Sequence, residues 1–304
     1  RTPVMVNLDG FALTHTYETV DVPTPDQADA FLPPYDGVGN RFDFDQPVNI
    51  GFSAGPEYNR YFKYWEHRDM LDAAPQVIEE AEARFAEVLG RRYPGMIECV
   101  SCDDADVVLV TLGSAAGLAR GVVERLRAQG VRAGMLRIRY LRPMPSALIA
   151  EALCGARAVG VLEKDVSFGA EGTVFTNVNS ALHQAGVRVP TYNFIGGLGG
   201  DDISEAQVEG IFAALAQVGA DAGDLPRVSF LGIDSPADAV PSACRPPERA
   251  DAAAFRGTQS RGAGESSRAE ARFASVTPAV PAISGTAETL ADSSGPAICD
   301  EGGR

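Results

Sequence analysis

The sequence predicts an open α/β domain built on a parallel, doubly wound sheet. Three observations predict it. Continuous apolar runs recur between residues 105 and 197, as strands buried on both faces require. A segment of helical period follows each run. Glycine or proline punctuates the joins. Strand–helix repeats of this length imply right-handed crossovers and a sheet covered on both sides.

The elements follow in order. Residues 3–8, PVMVNL, read as a strand, and the chain from there to about residue 75 reads as irregular and extended, with prolines and aromatics recurring in FLPPY (31–35) and PEYNRYFKYWEHRDM (56–70). Tyr61, Phe62, Tyr64 and Trp65 are expected to anchor packing. Residues 76–89 form an amphipathic helix with Val77, Ala81, Phe85 and Val88 on one stripe, a Glu80–Arg84 pair and Gly90 as its cap. ADVVLVTLG (105–113) is a buried strand. A helix with Leu118, Val122 and Leu126 in register follows and ends at Gly130. VRAGMLRIRYLRP is the next strand, stopped by Pro143 and Pro145, and SALIAEALCGA the next helix. ARAVGVLEK (156–164), the loop SFGAEG and the helix TVFTNVNSALHQAG come next. VPTYNFIGG is a strand, and a helix opened by a capping box of Ser204 with Gln207 closes the domain. A short strand is expected over 227–233. Residues 236–304 are poor in core-forming side chains and read as disordered.

Composition narrows the function classes. The chain has 304 residues, 45% of them hydrophobic, and a formal net charge of −15. Nucleic acid and anionic membrane demand a basic footprint, so neither is an expected partner. No apolar run approaches the roughly 18–20 residues of a membrane span, and no signal-peptide pattern opens the chain, so a cytoplasmic protein is expected. Five cysteines do not make a disulfide scaffold. Cys99 and Cys102 form a CxxC in a loop, with no second pair or nearby histidine to complete a metal site, and are expected to be ordinary reduced thiols.

In such a sheet, ligands collect beyond the carboxyl ends of the strands. The residues there are Thr111, Gly113 and Ser114, Arg142, Glu163, Lys164 and Asp165, and Gly196 to Asp202. Gly113-Ser114 opens a helix whose free N–H groups suit an anion. The simpler reading is a glycine for a tight turn and a serine for the N-cap. GSAAGLARG is neither a dinucleotide fingerprint nor a Walker A loop. GGLGGDD suits a structural or interface role. The three histidines, His15, His67 and His183, lack metal-site spacing, and His183 is expected on a solvent-facing helix side.

PVMVNLDGFALTHTYE, FLPPY, FAEVLGRRYPG, DADVVLVTLGSAAG, RIRYLRPMP, VLEKDVSFGAEG and FIGGLGGDDIS occur in this order. Together they closely resemble the α subunit of 2-oxoacid:ferredoxin oxidoreductases of the pyruvate or 2-oxoisovalerate type, over about residues 1–215. The resemblance implies a transketolase C-terminal-like domain at 104–218. Ahead of it would lie the last segment of a thiamine pyrimidine-side domain (1–55) and a connecting arm (56–103), with a low-complexity tail after it (219–304). Most of the pyrimidine-side domain is then expected upstream of Arg1. It also implies oxidative decarboxylation of a 2-oxoacid to acyl-coenzyme A with reduction of ferredoxin. Thiamine diphosphate with Mg would be bound mainly by residues outside this chain, and iron–sulfur clusters would sit on partner subunits. The implied partners are β, γ and ferredoxin-like δ subunits and ferredoxin. Asp9, Thr14, His15 and Glu18 are expected near the active-site interface, because they follow a strand end of the thiamine domain. One departure is Asp201, where the family's GLGG pattern continues with arginine. A transketolase or E1-type thiamine enzyme subunit is an alternative that LDGFALTHTYE and GLGG speak against. A non-catalytic α/β scaffold module is another.

Overall fold

The structure is a computed structural model, and it describes residues 3–10, 12–34, 43–47, 53–219 and 225–233. The expected disordered segment, 236–304, lies outside the described residues, as does Tyr35 of FLPPY.

The described residues form a six-stranded sheet of order β1-β3-β2-β4-β5-β6. The strands are β1 (Ile97–Val100), β2 (Val107–Leu112), β3 (Ala133–Ile138), β4 (Ala158–Glu163), β5 (Thr191–Ile195) and β6 (Val228–Phe230). β2 through β6 run parallel, while β1 pairs antiparallel with β3 at the edge. Helices α5 (Ala115–Ala128) and α8 (Glu205–Ala216) cover one face; α6 (Ser146–Leu153) and α7 (Thr173–Gln184) cover the other. The strand period of two distributes β2 between them. Val107 and Leu109 pack with α5 and α8, while Val108 and Val110 pack with α6 and α7. That two-sided burial is why the strand reads as an unbroken apolar run. The α/β expectation holds, including the Ser204–Gln207 capping box at α8 and the short strand β6.

Several expectations are corrected. Residues 3–8 are not a strand: no partner strand pairs with them among the described residues, and Val4, Val6 and Leu8 are 83%, 83% and 76% exposed. A ladder needs a neighbour to receive its backbone groups, and the apolar pattern alone supplies none. The connection is largely helical: α1 (Ala12–His15), α2 (Pro25–Phe31) and α3 (Pro56–Asp72) precede α4 (Ala74–Leu89). Proline at the first helical position opens α2 and α3, and Thr24 with Gln27 forms a capping box at α2. The aromatics of α3 do not anchor packing within this chain. Tyr61, Phe62, Tyr64 and Trp65 all stay at least half exposed, and no residue of α3 is buried. Finally, Cys99 lies on β1 rather than in a loop, because Ile97 to Val100 pair with β3.

The α4 stripe is rotated from the expected one. Val77 is exposed, and Arg84 turns away from Glu80 to donate to the Ala30 carbonyl at 3.0 Å. The Phe31 ring meets Phe85 edge-on at 5.4 Å, which packs α2 on α4. Glu82 of the same helix binds Arg139 at 2.7 Å and accepts from the Gly95 amide at 2.8 Å, tying α4 to the end of β3.

Leu109 is fully buried at the centre of the sheet. Leu109→Ala is expected to lower unfolding free energy by about 2–5 kcal/mol through lost transfer energy and the cavity left behind. Denaturant unfolding followed by circular dichroism checks this. A loss below about 0.5 kcal/mol would place Leu109 outside a packed core.

Candidate functional site

The carboxyl edge of the sheet is organised by Glu163, the last residue of β4 and only 3% exposed. Its Oε2 accepts from the Val174 amide at 2.8 Å and its Oε1 from the Phe175 amide at 3.1 Å, both in the first turn of α7. Asn193 Nδ2, on β5, donates to Oε1 at 2.8 Å, while Asn193 Oδ1 accepts from the Gly172 amide at 2.9 Å. The side chain thus receives the otherwise orphaned N–H groups of a helix start and meets its positive dipole end. Burial pushes the Glu163 carboxyl above its ordinary value, and the three hydrogen bonds oppose that shift. Gly172 makes the arrangement possible. A Cβ there would lie 2.1 Å from Glu163 Oε1.

The loop from Lys164 to Gly172 is fixed at both ends. Asp165 accepts from the Thr173 amide at 3.1 Å, and Ser167 and Thr173 share a hydrogen bond of the same length. Phe168 at its tip is 99% exposed. The stem of Lys164 runs past Gly197, whose φ of +72° and missing Cβ leave room for it.

Lys164 Nζ lies 3.6 Å from Asp9 Oδ2 and 3.5 Å from Ser114 Oγ. Asp9 Oδ2 accepts from the Ser114 amide at 3.0 Å and from the Ser114 hydroxyl. Gly113 makes the preceding turn at φ +63°. A carboxylate therefore occupies the helix start where the sequence suggested an anion. The Ser114 hydroxyl lowers the Asp9 carboxyl below its ordinary value of 3.8, helped by the Ser114 amide and Lys164. Ser114 itself has helical angles and makes no side-chain cap, so its expected N-cap role is corrected: the hydroxyl is turned to Asp9.

The structure thus brings Asp9, Gly113, Ser114 and Lys164 together across more than a hundred residues. Thr14 and His15 stand on α1, sharing a 3.2 Å hydrogen bond at an exposed position, and Glu18 is exposed just beyond. Arg142 lies at the same sheet edge and donates to the Leu141 carbonyl at 2.6 Å. In GGLGGDD, Gly197, Gly199 and Gly200 all take positive φ, and the Gly196 amide donates to the Glu163 carbonyl at 3.1 Å. Sequence reasoning missed Asn193 and Gly172. The available signal was an acidic strand end followed nine residues later by glycine at a helix start.

A parallel doubly wound sheet with a charged cluster at its carboxyl edge defines an α/β domain of the ligand-handling kind. Residues 105–208 match the family described as pyruvate:ferredoxin oxidoreductase core domain II. Residues 1–83 match the pyruvate flavodoxin/ferredoxin oxidoreductase thiamine diphosphate-binding domain. The pyruvate synthase subunit PorA of Methanothermobacter thermautotrophicus is 38% identical over 209 residues, covering 69% of this chain and 53% of that one. The PorA of Methanosarcina barkeri is 39% identical over 202 residues, 66% of this chain and 50% of that one. The ketoisovalerate oxidoreductase subunit VorA of Pyrococcus abyssi is 36% identical over 216 residues, 71% of this chain and 54% of that one. The chain is similar to the α subunits of 2-oxoacid:ferredoxin oxidoreductases. It spans about half the length of the curated relatives it matches.

Two outcomes follow from this geometry. In Glu163→Gln, an amide NH2 faces the backbone donors of Val174 or Phe175, so a loss of about 1–3 kcal/mol in unfolding free energy is expected. Because the native carboxyl is raised, its contribution to stability is fully present in acid and is lost as pH rises through the raised value. The wild-type-minus-variant difference in stability across pH 4–8 reads this, and a difference independent of pH would exclude it. Asp9 has the opposite sign. Its contact persists above the ordinary carboxylate value and is lost as pH falls through the lowered one. The Ser114 amide resonance should titrate with a midpoint below 3.8 and stop titrating in Asp9→Asn. Titration that survives the substitution would assign the signal elsewhere.

Proposed function

We propose that this chain is part of a thiamine-dependent 2-oxoacid:ferredoxin oxidoreductase. The enzyme decarboxylates pyruvate or a related 2-oxoacid, passes the electrons to ferredoxin and transfers the acyl group to coenzyme A. One observation carries the reading. A single chain matches, in order, a thiamine diphosphate-binding segment and core domain II of the same oxidoreductase family. Asp9 of the first segment is hydrogen-bonded to Ser114 of the second.

In this reading residues 1–55 close a pyrimidine-side thiamine domain, 56–103 connect it, 104–218 form the transketolase C-terminal-like domain and 219–304 follow as a tail. Asp9, Thr14, His15 and Glu18 lie toward the active-site interface, and Gly113 with Ser114 fixes the contact between the two segments. The residues of this chain do not by themselves fit the cofactor. Among the described residues no three His, Cys, Asp or Glu side chains converge to hold a metal ion, and the Asp9 carboxylate is already engaged by Ser114 and Lys164. Thiamine diphosphate and its Mg are therefore assigned mainly to residues outside this chain, and iron–sulfur clusters to partner subunits. The thiamine group supplies the carbanion chemistry of decarboxylation. This chain's part is to hold Asp9, Ser114 and Lys164 in one rigid array at the sheet edge.

The proposed partners are β, γ and ferredoxin-like δ subunits, with ferredoxin as electron acceptor, in the cytoplasm. The exposed apolar residues of 4–8 and the aromatic side chains of α3 support an assembled state, since such surface is rarely left uncovered. Among the described residues no helix is long and apolar enough to cross a membrane.

The test is the complex purified anaerobically from its source, assayed for methyl viologen reduction with coenzyme A and each of pyruvate, 2-oxoisovalerate and 2-oxoglutarate. Reduction dependent on one of these acids and on coenzyme A is expected. No reduction with any of them overturns the proposal.

A further inference from the structure

β1 is the edge strand of the sheet and carries Cys99 on an exposed position. Its chain leaves through Ser101, the one non-glycine residue with positive φ (53°) among the described residues. That left-handed step folds the chain back at once, so Cys102 is buried under the end of β1 with its thiol 3.2 Å from the Met135 carbonyl. Cys99 pairs with Leu136 and Val100 with Met135 across the β1–β3 ladder, so the Cys102 thiol, seated on the Met135 carbonyl, lies one ladder position from Cys99. Arg127 holds the turn from three directions. It donates to the Ser101 carbonyl at 2.7 Å and the Ala133 carbonyl at 2.6 Å, and pairs with Asp104 at 2.8 Å. Behind the turn, a Cβ on Gly134 would lie 2.8 Å from the Ser101 carbonyl, so the strand beneath is cut back to admit it. A non-glycine left-handed residue is strained and persists only where the surroundings enforce it.

We infer that Cys99 and Cys102 form a thiol–disulfide exchange site, in which exposed Cys99 attacks an external disulfide and buried Cys102 resolves the product. Two features set these roles. Access separates them, since only Cys99 reaches solvent. Acidity separates them in the same sense. The neighbouring Cys102 thiol holds the Cys99 thiol below its ordinary value, against burial and the nearby carboxylates of Asp103, Glu151 and Glu98. Cys102 is pushed far above the ordinary thiol range by the neighbouring Cys99 and by burial. The nucleophile in such exchange is the thiolate.

The reaction balances with a low-molecular-weight or protein disulfide, RS–SR, as oxidant. The Cys99 thiolate attacks one sulfur, forming Cys99–S–S–R and releasing RS⁻. Cys102 then loses its proton and attacks Cys99 Sγ, closing Cys99–S–S–Cys102 and releasing the second RS⁻. Both released thiolates take up protons. The protein's two thiols are oxidised and the external disulfide is reduced to two thiols. Closing the bond takes Cys102 off the Met135 carbonyl, so the oxidised state loosens the hold of β3 on the turn after β1.

The inference is independent of the proposed activity and is tested on the full chain. The native protein is incubated anaerobically with oxidised glutathione, trapped with iodoacetamide in acid, and the peptide holding Cys99 and Cys102 is analysed by mass spectrometry. The expected product lacks two hydrogens, carries no alkyl label and reverts with dithiothreitol. Cys102→Ser should instead accumulate the glutathione adduct on Cys99, and Cys99→Ser should leave Cys102 unreacted. In the reduced wild type, Cys99 should alkylate several-fold faster than the half-buried Cys154. Persistence of the mixed disulfide in the wild type, or alkylation of Cys99 no faster than Cys154, overturns the inference. Both readings use the unsubstituted protein, so they stand even where a variant fails to fold.

Discussion

The carboxyl edge of this domain depends on one buried carboxylate. Glu163 is nearly inaccessible, and an ion in that position is costly unless its lone pairs are filled. The fold fills them with the first turn of α7 and with Asn193. Each donor then constrains its own neighbourhood. α7 must start where its amides reach Glu163, Gly172 must lack a side chain, and β5 must carry an amide at 193. The EG pair that ends the loop is therefore a steric consequence of the strand-end glutamate. Lys164, one residue on, points the other way by strand alternation, toward Asp9 and Ser114. The interior anchor and the surface cluster are successive residues of one strand end.

A second set of contacts ties the amino-terminal elements to the sheet, and arginine supplies most of it. Arg139 binds Glu82 of α4 with both side chains largely covered and lies 5.4 Å from the Tyr93 ring centroid. Arg120 and Arg137 converge on Glu98 of β1. Exposed pairs of this kind contribute little singly, and the partly buried ones contribute chiefly by orientation. Their common effect is to fix the antiparallel edge strand and the helix before it to an otherwise parallel sheet.

The sheet was legible because its strands and helices repeat a pattern that burial on both faces enforces, as β2 illustrates. The sheet edge was half legible. Strand-end position alone named Gly113, Ser114, Glu163 and Lys164, but not the reach of Asp9 to Ser114, which depends on a separation no local pattern encodes. β1 escaped notice because four residues of mixed polarity, IECV, carry no strand period and are held by pairing with β3. α3 escaped for a related reason. Its aromatic and charged residues form no apolar stripe, so the stretch read as irregular and extended, whereas the proline ahead of them starts a helix. The reading of 3–8 failed in the other direction. Its apolar residues fit a strand, yet a strand exists only when a second one receives its hydrogen bonds.

The contrast between the two regions of the chain is the final step. Between residues 105 and 218 apolar side chains are spent on two continuous cores. Among the described residues before 73, most large apolar side chains are exposed, Phe31 against Phe85 being an exception. Val4, Met5, Val6 and Leu8 project from an unpaired chain, and α3 turns tyrosine, phenylalanine and tryptophan toward solvent. Water does not reward that arrangement, since each exposed aromatic forgoes the roughly 1.5–3 kcal/mol that burying a large apolar side chain yields. The α/β domain buries its own apolar surface, while the segment that carries Asp9 to its edge leaves Val4, Met5, Val6 and Leu8 exposed. Asp9 links the two. Its carboxylate is held by Ser114 and Lys164 of the α/β domain, and its backbone belongs to the exposed segment.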